Sequence, residues 1–116
     1  MGNEKIFAMA FSKVYPMLIA KAERKGRSRE DVYEVTSWLT GYTVSELEEL
    51  LASSISYGEF FEKAPCLNEK RRLITGSVCG VKLAEIEDPL MLEIRYLDKM
   101  VDELAKGKPM EKILRK

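Results

Sequence analysis

Glu85, Glu87 and Asp88 set three carboxylates within four positions, and Glu93 and Asp98 follow downstream. Carboxylates alone can hold magnesium or work as an acid–base pair. The local pattern gives these residues a plainer task. Asp88 precedes Pro89, the arrangement of a helix N-cap followed by proline at the first helical position. Glu85 and Glu87 flank the apolar Ile86 as a solvated edge. Cys79, between Val78 and Gly80, is a second reactive candidate. Its thiol would be activated if Arg72 and Lys82 folded close to it, whereas its apolar flanks suit a buried, inert cysteine. With Tyr96, these residues make Cys79, Glu85, Glu87 and Tyr96 the candidates for a ligand or active site.

The chain has no histidine. That removes the commonest general base and metal ligand, and with them every Ser-His or Cys-His nucleophile system. Cys66 and Cys79 without histidine cannot close a structural zinc site in one chain. No C-x-x-C, P-loop or G-x-G-x-x-G spacing occurs. The expectation is a non-enzymatic protein that uses neither metal nor cofactor.

Two sets of residues could bind a macromolecule instead. Leu90, Ile94, Leu97, Val101 and Leu104 step by four, three, four and three. This is an a/d seam, which serves either as a packing stripe inside a helical domain or as a symmetric dimer interface. Trp38 and Tyr42 bracket Gly41, as an aromatic plug in the core or as a binding edge. Trp38, Tyr42, Leu90, Leu97 and Leu104 are therefore the interaction candidates, with a protein partner or a second copy as the expected occupant.

The second set is basic: Arg24, Lys25, Arg27 and Arg29, with Arg71 and Arg72 further on. Two helices joined at Gly41 would resemble a helix-turn-helix outline. The second of them carries Glu46, Glu48 and Glu49, and no positive charge occurs between Arg29 and Lys63. Phosphate contacts supply most of the affinity for DNA, so this helix would be repelled and nucleic acid is disfavoured as a partner.

Capping signals mark the elements that must position these residues. Ser28 with Asp31, Thr43 with Glu46 and Ser56 with Glu59 each read as a capping pair opening a helix. Ser12 reads as an N-cap that places Pro16 in a first turn, and Gly26 stops that helix. Phe7, Met9 and Phe11 alternate, as a strand or as a lead-in. Asn68 caps a segment through Ile74, halted near Gly76. Residues 78–83 read as a helical turn or a short extended segment, and a long helix near 89–106 ends at Gly107. Trp38-Leu39-Thr40-Gly41 is echoed by Leu73-Ile74-Thr75-Gly76, as two similar helix–glycine–helix corners. The fold class is all-α: a single compact domain over 1–116, with about five or six helices around one core.

Composition agrees. With 116 residues, 46% apolar and 33% charged, the chain suits one globular domain able to bury a core. No run approaches the length of a membrane span, and Ile6–Phe11 is too short for a signal-peptide core. The expected location is the cytoplasm, where thiols stay reduced. Formal net charge is zero, yet the net runs +4 over 1–30, −6 over 31–64, +3 over 65–82, −5 over 83–103 and +4 over 104–116. These blocks either pair within the fold or offer charged faces to a partner.

The same segments carry a resemblance. Tyr15-Pro16, Ala22-Glu23-Arg24-Lys25-Gly26-Arg27, Trp38-Leu39-Thr40-Gly41-Tyr42, Leu73-Ile74-Thr75-Gly76 and Cys79-Gly80-Val81 take part in it. Its strongest stretch runs from Glu85-Ile86-Glu87-Asp88-Pro89-Leu90-Met91 through Ile94-Arg95-Tyr96-Leu97-Asp98-Lys99 to Glu103-Leu104-Ala105-Lys106-Gly107-Lys108. Over nearly its whole length the chain resembles a family of small bacterial proteins known as domain of unknown function 2200. The resemblance implies a bacterial cytosolic protein. It carries over no activity, substrate, cofactor or catalytic residue.

Overall fold

Three capping boxes set helix starts, and all three fall where the sequence signals them. Ser28, Thr43 and Ser56 accept from the backbone N–H of Asp31, Glu46 and Glu59, whose carboxylates receive the N-cap N–H in return. The computed structural model describes residues 2–78 and 80–115. Within them the α-helices are α1 (Gly2–Ala8), α2 (Phe11–Glu23), α3 (Arg29–Thr40), α4 (Val44–Leu51), α5 (Tyr57–Glu62), α6 (Pro89–Ala105) and α7 (Met110–Ile113). Single 3-10 turns occupy Glu69–Leu73 and Leu83–Glu85. A two-residue hairpin, β1 (Ser77–Val78) and β2 (Val81–Lys82), pairs antiparallel with Val78 opposite Val81. The architecture is all-α apart from this hairpin, which is the extended form of the 78–83 segment. Among the described residues no helix is long and apolar enough to cross a membrane.

Helix α6 is the axis of the domain. Asp88 caps it by accepting from the N–H groups of Leu90 and Met91, with Pro89 at its start. Its inner face packs on α2 and α3, with α5 and α7 at the sides. Ile94, Leu97, Met100, Val101 and Leu104 are all within 2% of full burial. The a/d seam is thus spent on packing inside one chain.

Beside it lies an aromatic stack. Phe11 sits 4.8 Å from Tyr15 and 4.2 Å from Phe60, and Tyr42 sits 4.7 Å from Phe60, measured between ring centres. The buried hydroxyls within it are satisfied where the chain allows. Tyr15 donates to Thr36 Oγ1 at 2.7 Å, which itself donates to the Val32 carbonyl.

The start of α2 differs from the sequence expectation. Ala10, not Ser12, is the N-cap, so Pro16 lies in the helix interior. The cause is tertiary. Ala10 bridges Ser56, Phe11 N–H donates to the Ile55 carbonyl at 2.9 Å, and Tyr57 N–H donates to Met9 at 2.7 Å. This clasp fixes where α2 and α5 begin. It is completed by α1, a helix rather than a strand, which lies against Gly58. A Cβ on Gly58 would stand 3.0 Å from that of Phe7.

The two glycine corners also part company. Gly41 (φ +85°) joins two helices, and a Cβ there would come within 2.8 Å of the Cys66 backbone nitrogen. Gly76 (φ +97°) is followed by β1, not by a helix. Its carbonyl accepts from Leu83 N–H at 2.9 Å, which closes the hairpin instead.

Candidate functional site

The sequence candidates separate once folded. Leu97 and Leu104 have no exposure, and Tyr42 is buried, its hydroxyl donating to the Phe60 carbonyl at 2.7 Å. These three are core residues and cannot form an interaction surface. Trp38 and Leu90 remain half-buried. Trp38 lines a shallow groove with Gly41, Cys66 and Asn68.

The basic candidates separate as well. Arg71 Nε donates to Glu93 Oε1 at 2.8 Å, inside the structure. Arg27 donates to Asp31 and to the carbonyls of Leu104 and Lys108, tying α3 to the end of α6. Arg72 is exposed, lies over the Tyr96 ring at 6.0 Å and donates to its hydroxyl. Only Arg24, Lys25 and Arg29 of the set stay exposed together near the α2–α3 turn. The charge blocks meet on α6: Lys21 pairs with Asp102, Arg71 with Glu93, and Lys108 and Arg115 with Glu103. Arg27, Arg71 and Arg72 are thus engaged within the fold, while Arg24, Lys25 and Arg29 stay on the surface.

Among the small-ligand candidates, Tyr96 is buried and occupied by Arg72. Cys79 lies outside the described residues. Glu85 and Glu87 remain exposed. They line a recess of about 470 Å³ together with Val81, Ile86, Asp88, Met91 and Arg95. Among the described residues, no group of three cysteine, aspartate or glutamate side chains converges to hold a metal.

Next to this recess, and sharing Met91 and Arg95 with it, is a deeper cavity of about 290 Å³. Ile6 of α1 covers one side, Val14 of α2 another, and Ile94 and Asp98 of α6 form its floor with Tyr57. Three polar side chains meet there. Arg95 Nη1 donates to Asp98 Oδ2 at 3.0 Å, a pair one helical turn apart on α6. Asp98 Oδ1 receives no hydrogen bond from the described residues. Tyr57 is 1% exposed, and its hydroxyl has no hydrogen-bond partner among the described residues.

The electrostatics follow from burial. Desolvation pushes the Tyr57 phenol well above its ordinary range, Asp98 and Tyr15 push the same way, and Arg95 opposes them. The hydroxyl therefore keeps its proton and offers one donor and two lone pairs. Desolvation also raises Asp98, against the lowering effects of Arg95 and Lys21. A buried hydroxyl left unpaired costs about 1–3 kcal/mol, and such a group beside a cavity awaits a water or a ligand.

Tyr57 and Arg95 were not legible as site residues. Tyr57 is the first residue of a six-residue helix, a position that usually faces solvent, and only the clasp at Met9–Phe11 turns it inward. The i,i+3 spacing of Arg95 and Asp98 was the one available signal.

Relatives share this fold without naming a function. No curated protein is significantly similar to the chain. A crystal structure of the uncharacterized protein SP1917 superposes with a TM-score of 0.92 at 53% identity, over 96% of this chain and 91% of that one. A family model described as "uncharacterized protein conserved in bacteria" (DUF2200) matches residues 5–115, and the chain belongs to that family.

Proposed function

We propose that this protein binds a small molecule in the cavity between α1, α2, α5 and α6. The observation that carries the reading is Tyr57, whose buried hydroxyl has no partner among the described residues and whose side chain lines a cavity that also holds the Arg95–Asp98 pair. A volume of about 290 Å³ lies at the small end of ligand sites, so the ligand is metabolite-sized. Apolar walls with a few converging polar groups are the usual composition of such sites. The cytoplasm suits this role, where an exposed thiol such as that of Cys66 stays reduced. The self-association reading keeps only Trp38 and Leu90 outside the core.

The test is ligand-observed NMR with a mixed panel of small amines, carboxylates and alcohols, on the wild type and on Ile6→Trp. Indole at position 6 fills the cavity from α1. Some panel members should bind the wild type, their binders should shift the Met91 methyl signal when the protein is observed instead, and Ile6→Trp should lose them. Binding that shifts Met91 and survives Ile6→Trp, or a panel that yields none, would refute the reading.

A further inference from the structure

We infer that a second site, a cleft between the 3-10 turn Glu69–Leu73, the hairpin and α6, binds a short aliphatic carboxylate. The carboxylate meets Arg72, and the hydrocarbon lies against Ile74, Leu83, Ile86 and Leu92. This goes beyond the reading above, because no residue lines both this cleft and the cavity at Tyr57.

Arg72 is the one charged residue that lines the cleft. It is also a cation without a carboxylate. Arg27, Arg71, Arg95 and Arg115 each pair with an acid, whereas Arg72 comes within ion-pair distance of none among the described residues. Glu93, whose charge acts on Arg72, is already taken by Arg71 at 2.8 Å. The side-chain partner of Arg72 is the Tyr96 hydroxyl, which accepts from Nη1 at 3.3 Å, with the guanidinium 6.0 Å from the ring centre. A phenol is uncharged at neutral pH and takes one of several N–H donors, so Tyr96 orients the guanidinium without offsetting its charge.

Lys99 strengthens the same field. It donates to the Ser77 carbonyl at 3.1 Å, and its ammonium lies 3.5 Å from where a Cβ on Gly76, a lining residue, would stand. Glu85, next to Ile86 in the chain, is exposed and lines the neighbouring recess instead. An anion is therefore favoured at this rim, and an ammonium would face Arg72.

The rest of the cleft is apolar. Its volume is about 340 Å³, within the range of small-molecule sites. Ile74 and Leu83 are buried there, and Ile86 and Leu92 are half-buried. An inorganic anion would set nothing against this surface, whereas a carboxylate on a hydrocarbon chain answers both ends. An exposed ion pair adds little and is screened by salt, while each buried methylene gains about fourfold in affinity. The hydrocarbon thus supplies the affinity and Arg72 the choice of head group.

Titrations of butyrate, hexanoate, hexanol and hexylamine, followed by the methyl NMR signals of the protein, test this. Hexanoate should shift the Ile74 and Leu83 methyls and bind about tenfold more tightly than butyrate. At low salt it should exceed hexanol by about threefold, with hexylamine weakest. Arg72→Gln should remove the preference for hexanoate over hexanol and leave hexanol unchanged, and high salt should do the same to the wild type. Ile6→Trp, which fills the other cavity, should leave hexanoate binding intact. Circular dichroism on each variant establishes that it is folded. Hexanoate no tighter than hexanol, hexanoate indifferent to both Arg72→Gln and salt, or no shift of Ile74 and Leu83 overturns the assignment. Loss of hexanoate in Ile6→Trp would place the acid in the Tyr57 cavity, which overturns this second site and leaves the reading above standing.

Discussion

Arg71 and Glu93 form an ion pair at 2.8 Å with only 12% and 10% of their side chains exposed, and it anchors the 3-10 turn Glu69–Leu73 to α6. Arg71 Nη1 also donates to the Asn68 carbonyl at 2.9 Å, so the guanidinium braces its own turn while it crosses to the helix. Removing one partner leaves a poorly solvated charge. Arg71→Ala or Glu93→Leu should each cost about 3 kcal/mol, measured by urea denaturation. The double variant Arg71→Met/Glu93→Leu should recover much of that loss, because two apolar side chains replace two desolvated charges. Equal, additive losses would show that the pair is solvated.

Leu97 and Leu104 are fully buried against the same chain. Leu97→Ala should destabilise the protein by about 3 kcal/mol through a cavity in the core. It should leave the elution volume in size-exclusion chromatography unchanged. A shift in oligomeric state with little loss of stability would return the seam to an interface role.

Tyr57→Phe has a signature without ligand. Deleting a hydroxyl that has no partner among the described residues removes a desolvation cost and keeps the ring stacked in its aromatic cluster. The ligand-free variant should be as stable as the wild type or more stable by about 1 kcal/mol in denaturant titration. A loss of that size would mean the hydroxyl is already satisfied by water.

Glu103 sets a pH dependence. Burial pushes its carboxyl up, but Arg115, which grips both oxygens at 2.7 and 2.8 Å, and Lys108 overcome this and hold it below the ordinary value. A carboxylate lowered in the folded state contributes stability above its unfolded pKa of about 4.3, and the contribution is lost as pH falls through the folded value. Arg115→Ala should therefore cost about 1–2 kcal/mol at pH 7, less than a fully broken pair because Lys108 remains. The difference from wild type should close below about pH 4 in thermal unfolding scans. A gap that persists into acid would assign the loss to packing of α7.

Local chemistry was readable along the chain. Ser28, Thr43, Ser56 and Asp88 cap helices because a short polar side chain reaches an N–H only two or three residues away. Gly41 turns because the left-handed conformation favours glycine, whatever lies around it. Periodicity along residues 89–106 fixed which face of α6 is apolar, and spacing marked Glu85 and Glu87 as carboxylates at a helix approach. What faces that stripe depends on distant segments, so sequence favoured a packing stripe over a dimer seam without settling it, and α2 and α3 decided for core. Likewise the basic clusters were visible but their partners were not, because Arg71 meets Glu93 across 22 positions and Arg27 reaches Lys108 across 81. The start of α2 belongs to the same class, since Ile55 and Ser56 and not the nearby Ser12 define it. The site itself is wholly tertiary: an unpartnered hydroxyl is a statement about every donor and acceptor that fails to reach Tyr57, and no stretch of sequence contains that sum.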